Sequence, residues 1–381
     1  YMAMLLHDIG KGHGKQTERG EVLAREIAKR MGCSAIDVET IAWLVANHLL
    51  MSEVAFKRDL DDPKTIADFA AEVQTPERLR QLLLITVADI CAVGPKVWNG
   101  WKGALLRDLY RRTMAYIAGD MPVVSASHAH REALGLMLRD TCAGWEEEEI
   151  AYFLESVVPQ AFWQRTADEQ LMLAKLYFAQ AKKGGIARYV VRNAFHAVTE
   201  LSLCLPHSPF LLQRVAGSAA LLGASIVSAK LMATAEGVSS ITIGLQDVTG
   251  AAFDEARAER ELPAIYEAVE QGRRDLAADI ARARPRYFAQ QGKPEMAYVH
   301  IDNTLSATHS VIEVSGGDRI GFLHDVAAAL AASGVVIATA HIATYGRRAV
   351  DVFYGKDAYG HKVVHPVKRE AVEQAVLDAI G

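Results

Sequence analysis

Four side chains of the types that bind metal ions stand in or beside apolar helical segments near the start of the chain. His7 and Asp8 are adjacent and follow an apolar run. His48 lies one helical turn after Leu44, so we expect it to face inward with the apolar stripe of its helix. Asp89 lies in the apolar segment "LLLITVADICAV". A buried carboxylate there needs a metal, a cation or strong hydrogen-bond donors.

These residue types match what a divalent metal requires. Imidazole and carboxylate ligands suit Mn, Fe, Zn or Mg, and a metal-bound hydroxide could attack a phosphodiester. Each residue alone also has a structural interpretation: a core histidine, a helix-end aspartate or a buried ion pair. Their combination in one helical region favours a site. Lys11, just after the pair, is either a phosphate contact or an exposed loop lysine.

Helices must position these side chains. "SAIDVETIAWLVANHLL" begins with Ser34 as its predicted N-cap, and "PERLRQLLLITVADICAV" begins with Pro76. "WKGALLRDLYRRT" is a further amphipathic helix. The patterns therefore predict an all-α domain over residues 1–120 and a mostly helical connector over 121–195.

Two α+β units follow, and they repeat each other. The pattern βαββα covers 196–272 and returns over 308–381. A constant offset of 111 residues aligns Gly223 with Gly334 and Leu211 with Phe322. Such self-similarity at a fixed period is typical of an internal repeat. The segment 273–307 between the units is predicted to be a linker.

The second repeat contains a turn suited to an amino acid. In "GGDRIGFL", Gly321 permits positive φ or close backbone approach, and the helix start beyond it favours a carboxylate. Asp318 either accepts an ammonium group or caps the helix. The first repeat has His207 and Phe210 at the positions of Asp318 and Gly321. We therefore expect the second repeat to contribute most to an amino-acid site.

Composition narrows the class of partner. The 381 residues carry a net charge of −5, which favours neither nucleic acid nor an anionic membrane as partner. The four cysteines form no C-x-x-C pattern, so we expect a reducing cytoplasm. Because Tyr1 falls within an ongoing helical pattern, we expect the sequence to be a fragment with a segment missing upstream.

Several segments carry a resemblance to a known family. They are "LLHDIGKG", "AWLVANHLLMS", "RDLDDPKTIADFA", "TVADICA", "VWNGWKGALLRDLY" and "ATAHIATYGRRAVDVFYGKDAYGHKV". Together they resemble the bifunctional PII uridylyltransferase/uridylyl-removing enzymes. The resemblance implies an HD domain that removes the uridylyl group from a tyrosine of the PII signal protein. It also implies two ferredoxin-like βαββαβ ACT domains that sense glutamine.

The resemblance also implies a set of site residues. The metal, Mg or Mn, is expected on His7, Asp8, His48 and Asp89, and Lys11 is expected to be catalytic with them. Glutamine is expected at Asp318, Arg319, Gly321 and Phe322.

This chain departs from the pattern of the HD superfamily in two ways. The HD superfamily has an earlier histidine ligand, which would lie before Tyr1. It also continues with Asp-His-Ser where this chain has Lys15-Gln16-Thr17-Glu18, so His13 or Glu18 is a candidate replacement. Two alternatives stay open: a catalytically impaired HD domain that serves with the ACT pair as a regulatory module, and a guanosine polyphosphate hydrolase. The nucleotidyltransferase pattern needed for uridylyl transfer does not occur in this sequence.

Overall fold

The computed structural model describes residues 1–12, 16–94, 97–119, 128–141, 144–163, 165–193, 197–271, 276–284, 296–345 and 348–381. It divides into a helical unit, Tyr1–Pro122, and a sheet unit, Val123–Gly381. Within the described residues, no helix has both the length and the apolar character needed to span a membrane.

The described residues of the helical unit form only helices, which confirms the predicted all-α domain. They are α1 (Met2–Leu6), α2 (Gln16–Arg30), α3 (Ala35–Asn47), α4 (Leu50–Lys57), α5 (Pro63–Val73), α6 (Pro76–Val93) and α7 (Gly100–Ala118). As predicted, Ser34 caps α3 by accepting a hydrogen bond from the backbone N–H of Asp37 at 3.1 Å. Thr75 caps α6 in the same way, just before Pro76.

The core of the helical unit lies between the helices that carry the candidate ligands. Met51 of α4, Leu79 and Leu82 of α6, and Leu109 of α7 are completely buried within it. Burying side chains of this size stabilises each by about 1.5–3 kcal/mol relative to exposure. This packing fixes α6 against α3, and so sets the distance between the segments that hold Asp89 and His48.

The sheet unit begins with helices and continues with one antiparallel sheet. The helices are α8 (His128–Thr141), α9 (Glu147–Tyr152), a π-helical turn (Phe153–Val157), α10 (Gln160–Trp163) and α11 (Ala167–Lys183). The strands are β1 (Ala187–Asn193), β2 (Val198–Pro206), β3 (Ser225–Ala233), β4 (Val238–Gln246), β5 (Tyr298–Asp302), β6 (Ser310–Gly317), β7 (Val335–Tyr345) and β8 (Arg348–Asp357). Their order across the eight-stranded sheet is β1-β2-β4-β3-β7-β8-β6-β5.

The helices between the strands are α12 (Leu211–Leu221), α13 (Glu255–Gln271), α14 (Leu276–Ala283), α15 (Phe322–Ala332) and α16 (Pro366–Ile380). With α14 excepted, each element of the first repeat matches one of the second at the predicted offset of 111 residues. Ala229 of β3 pairs with Ala340 of β7, its own equivalent. The side chains of Gln213 and His324, also equivalent, meet at 3.3 Å. The two repeats are therefore related by a local twofold axis through these pairs.

The chain order within each repeat differs from the expected βαββαβ. Each repeat is ββαββα, because β1 and β5 come first and take the edge position that the last strand would otherwise occupy. These strands lie in the segments 121–195 and 273–307, which the sequence analysis assigned to a connector and a linker. The pattern of β1 is weak because an edge strand with few buried side chains lacks apolar alternation. The two α+β units are confirmed, whereas their boundaries stay a prediction.

One carboxyl group of the sheet unit is buried in an apolar setting. Asp351 of β8 is 1% exposed. Its side chain shares a face of the strand with the core residues Ala349 and Phe353. Neither oxygen has a hydrogen-bond partner within normal geometry among the described residues. Burial, together with the neighbouring Asp318, raises the pKa of Asp351 well above its ordinary value, and the backbone amide of Ala343 acts weakly against this.

We expect Asp351→Asn to stabilise the protein at neutral pH by roughly 1–3 kcal/mol, since it removes the penalty of a buried carboxylate without a partner. The pKa is higher in the folded state than in the unfolded chain. Asp351 is therefore tolerated best below its unfolded pKa, and its cost grows as the pH rises. Urea unfolding should show a higher free energy of unfolding for Asp351→Asn than for the wild type, and this difference should increase from pH 5 to pH 8.

A matched control lies at the end of the same strand. The Asp357 carboxylate accepts hydrogen bonds from the backbone N–H groups of Tyr359 and His361, each at 2.9 Å, and the bond from His361 is the main reason that its pKa is lowered. Asp357→Asn should therefore destabilise the protein. A gain for Asp351→Asn that does not change with pH would contradict this interpretation of Asp351.

Candidate functional site

Two segments far apart in the sequence converge at His7. α1 ends at Leu6 and the chain turns through His7 and Asp8, while Asp89 lies near the end of α6. The Nε2 atom of His7 is 3.2 Å from Oδ1 of Asp89 and 3.6 Å from Oδ2 of Asp8. The structure thus brings together three of the four predicted ligands through direct contacts.

His48 completes the group. It is buried at the end of α3, as expected. Its ring stands perpendicular to that of His7, with the centroids 5.2 Å apart. Thr86 of α6 donates a hydrogen bond to the His48 carbonyl oxygen at 3.4 Å, which joins α3 to the helix that carries Asp89.

Both imidazoles use Nδ1 in the same way. Nδ1 of His7 donates to the carbonyl oxygen of Met4, and Nδ1 of His48 donates to that of Val45, each at 2.8 Å. A carbonyl oxygen only accepts hydrogen bonds, so Nδ1 carries the proton in both rings. In the neutral imidazole, Nε2 then presents a lone pair. This is the usual state of a histidine ligand oriented by a backbone carbonyl.

The proton on Nδ1 of His7 affects the contact between Nε2 of His7 and Asp89. A neutral His7 would present the lone pair of Nε2 to the carboxylate oxygen of Asp89 at 3.2 Å, and two acceptors repel each other at that distance. A proton or a bound cation must therefore lie between these two atoms. The donor set suits a divalent metal. No three His, Cys, Asp or Glu side chains in the described residues converge closely enough to hold an ion without rearrangement.

Asp8 is held by two partners. Its Oδ2 accepts a hydrogen bond from Nζ of Lys11, and its Oδ1 accepts one from Nε2 of Gln16, each at 2.8 Å. The bond from Lys11 is the main reason that the pKa of Asp8 lies below its ordinary value. The sequence analysis missed Gln16, since a neutral amide gives no metal-ligand signal. Glu18 lies in the first turn of α2, whereas His13 lies outside the described residues.

Asp89 is less buried than the sequence suggested. Its side chain is 24% exposed. The helix α6 buries only one face, which includes Leu82 and Thr86, while Leu84 and Val93 are exposed. Asp89 follows Leu82 by seven residues and Thr86 by three, so it lies on the buried face of the helix. Its partial exposure follows from its position beyond Thr86, the last buried residue of α6. This position gives it contact with His7 and also with solvent.

A glycine sets the His7–Asp8 turn against α2. A Cβ atom on Gly10 would lie 2.1 Å from the carbonyl oxygen of Gln16 and 2.8 Å from the backbone nitrogen of Gly20. Only glycine allows this approach of two backbones. The same approach brings Gln16 to Asp8.

The effector residues predicted in the second repeat have different surroundings. Arg319 donates to the Asp325 carboxylate and to the carbonyl oxygen of Ala379 at 2.9 Å, so it joins the turn to α16. Phe322 is a core residue. Gly321 has a φ of 79°, in the left-handed region. Burial raises the pKa of Asp318.

α15 begins at Gly321 without a side-chain cap. Asp318 therefore does not cap this helix, and its carboxyl group interacts with the backbone N–H of Arg319, which acts to lower its pKa. Ligand binding by Asp318 stays a prediction.

We expect Gly10→Ala to destabilise the helical unit by roughly 3 kcal/mol or more, because the new methyl group would overlap a backbone oxygen. Gly20→Ala is the matched control. The tightest contact of its Cβ would be with the Val45 side chain at 3.1 Å, which can shift, while the backbone nitrogen of Gly10 at 3.7 Å is at ordinary van der Waals distance. Thermal unfolding should show a much larger loss for Gly10→Ala. Equal losses would contradict the close backbone approach.

Comparison with known proteins adds the family context. Residues 1–94 match the HD domain family. The chain is 38% identical over 389 residues to a bifunctional uridylyltransferase/uridylyl-removing enzyme of Gluconobacter oxydans (strain 621H), which covers 100% of this chain and 40% of that protein. It is 37% identical over 393 residues to the enzyme of the same name from Azospirillum brasilense, covering 100% of this chain and 41% of that protein.

No solved structure matches the chain. The chain spans about two fifths of the length of these curated relatives. The helical unit thus contains an HD domain, the domain of a class of metal-dependent hydrolases. Over its whole length, the chain corresponds in sequence to the C-terminal part of bifunctional uridylyltransferase/uridylyl-removing enzymes.

Proposed function

We propose that this chain removes the uridylyl group from uridylylated PII signal protein by hydrolysis of a phosphodiester. Water attacks phosphorus, the bond to the tyrosine oxygen breaks, and UMP and the free tyrosine hydroxyl are released. The observation that carries the proposal is the 3.2 Å contact between Nε2 of His7 and Oδ1 of Asp89, which requires a proton or a bound cation between them. The names of the relatives supply the uridylyl group that is removed, and PII is the expected protein substrate of that family.

The proposed metal ligands are His7, Asp8, His48 and Asp89, and the proposed ion is Mg²⁺ or Mn²⁺. When bound, such an ion neutralises phosphate charge and lowers the pKa of a bound water. The residues of the chain orient the site. The carbonyl oxygens of Met4 and Val45 fix the tautomers of the two histidines, and Lys11 and Gln16 hold Asp8. Lys11 is exposed beside Asp8, where its compact charge can contact a phosphate oxygen.

The proposed effector is glutamine, bound at the turn before α15. Two features support an amino acid there. The backbone N–H groups at the helix start favour a carboxylate, and Asp318 offers an acceptor for an ammonium group. Arg319, whose side chain is largely buried, and the buried Phe322 are proposed to shape the turn around the ligand. The predicted cytoplasmic location stays a prediction.

Asp89→Asn should reduce uridylyl release from uridylylated PII in the presence of Mn²⁺ by at least about a hundredfold, because an amide cannot replace a charged ligand. The measurement is UMP formed per chain per unit time. Asp68→Asn is the matched control, because Asp68 is exposed on α5 and, among the residues that the structure describes, pairs only with Lys64 of the same helix. It should retain wild-type activity.

The outcome also separates the alternatives. If the wild-type chain releases no UMP and metal analysis finds no bound ion, the catalytic proposal fails and the regulatory module replaces it. A guanosine polyphosphate hydrolase would instead release pyrophosphate from guanosine tetraphosphate under the same conditions. The relatives do not favour that activity.

Asp318→Asn should weaken glutamine binding by roughly tenfold or more, since it removes the charge that pairs with the ammonium group. Isothermal titration calorimetry measures the affinity. Asp378→Asn on the exposed face of α16 is the control and should leave it unchanged. Equal affinity of Asp318→Asn and the wild type would remove Asp318 from the site.

A further inference from the structure

At the offset of 111 residues, α14 falls on 165–172, which includes the start of α11. The two helices pack differently, because α11 lies against β1 and β2 whereas α14 lies against α12. Leu276 and Ile280 of α14 are both buried. They lie against α12 of the first repeat and against the turn before α15 of the second. α14 therefore contacts both repeats close to their local twofold axis.

Ile280 covers the turn assigned to the effector. A Cβ atom on Gly321 would lie 2.5 Å from Cγ2 of Ile280 and 3.3 Å from its Cδ1. The missing side chain of Gly321 thus leaves room for a close neighbour, as the sequence predicted. That neighbour is a side chain of the protein itself.

A second glycine forms the other wall of the same groove. A Cβ atom on Gly217 of α12 would lie 2.8 Å from Cδ2 of His324 in α15, and 3.2 Å and 3.4 Å from the Cδ1 atoms of Leu276 and Ile280 in α14. We name the space between Gly217 and Gly321 the glycine groove. One glycine of each repeat lines this groove, and the apolar face of α14 lies in it.

Charge reinforces this apolar docking. The Arg284 guanidinium, directly after α14, donates to the Asp325 carboxylate and, at 3.3 Å, to the carbonyl oxygen of Ile320 in the turn itself. Asp325 also accepts hydrogen bonds from Arg319 and from His324. Release of Arg284 would therefore leave Asp325 with two partners, so the link through Arg284 is separable from the rest of the network.

The groove is absent from the other half of the repeat pair. At the offset of 111 residues, Gly321 corresponds to Phe210 and Gly217 corresponds to Ala328. Side chains thus replace both glycines there, and Phe210 is partly exposed. The sequence pattern therefore provides one glycine groove for the pair, and it is the one that α14 fills.

We propose that α14 and an α-amino-acid effector compete for the glycine groove, so that effector binding displaces α14. The inference rests on the proposed effector role of this turn. The ligand's carboxylate takes the backbone N–H groups at the start of α15, and its carbon chain takes the space of Ile280 over Gly321. The energy of holding α14 in the groove lowers the apparent affinity for the ligand, because only the open state binds it.

Variants that weaken the docking of α14 test the competition. Ile280→Ala and Arg284→Ala should each raise the affinity of the full chain for glutamine by roughly tenfold, as measured by isothermal titration calorimetry. Arg282→Ala is the matched control. Arg282 lies on the same helix, is exposed, and forms an ion pair with Asp279 of α14 itself. The affinity of Arg282→Ala for glutamine should equal that of the wild type.

Hydrogen exchange in the wild-type chain provides a test that needs no variant. Saturating glutamine should speed amide exchange over residues 276–284. Slower exchange there, or unchanged or weaker glutamine binding by Ile280→Ala and Arg284→Ala, would overturn the competition and leave the effector role intact. If neither the wild type nor the variants bind glutamine, the effector role fails and the competition fails with it.

Discussion

The free-energy cost of placing a carboxyl group away from water governs the arrangement of both units. In the helical unit, the partly exposed Asp89 lies beside Nε2 of His7, with a proton or a bound cation required between them. In the sheet unit, burial acts to raise the pKa of Asp325, but hydrogen bonds from His324 and Arg319 outweigh it and keep the pKa below its ordinary value. Asp351 has no such partner, and its pKa is raised. Asp89 and Asp325 thus join segments that are distant in the sequence, whereas the buried Asp351 lowers the stability of the sheet unit.

The partners of Asp325 show how one carboxylate can link several elements. Arg319 belongs to the turn before α15 and also contacts the end of α16. Arg284 follows α14, and His324 reaches across the local twofold axis to Gln213 of α12. A change at the turn therefore bears on four helices of the repeat pair. The HD site has a comparable arrangement, since Asp8 joins the turn after α1 to α2 through Gln16.

Much of this architecture was accessible from the sequence because repetition and periodicity are properties of the chain itself. The 111-residue offset predicted both α+β units, and residue type with helical spacing selected His7, Asp8, His48 and Asp89. The edge strands β1 and β5 escaped prediction because a sparsely buried strand shows no strong alternation. The contacts of Gln16 with Asp8 and of Ile280 with Gly321 join segments without any shared pattern, so only the fold reveals them.

The central claim is that four side chains of the HD domain hold one divalent ion. Titration of the chain with Mn²⁺, followed by the electron paramagnetic resonance signal of the free ion, tests it most directly. The account predicts one bound ion per chain in the wild type, with binding weakened at least about tenfold by His48→Gln and unchanged by His365→Gln, which alters an exposed histidine. No bound ion in the wild type, or equal binding by both variants, would contradict it.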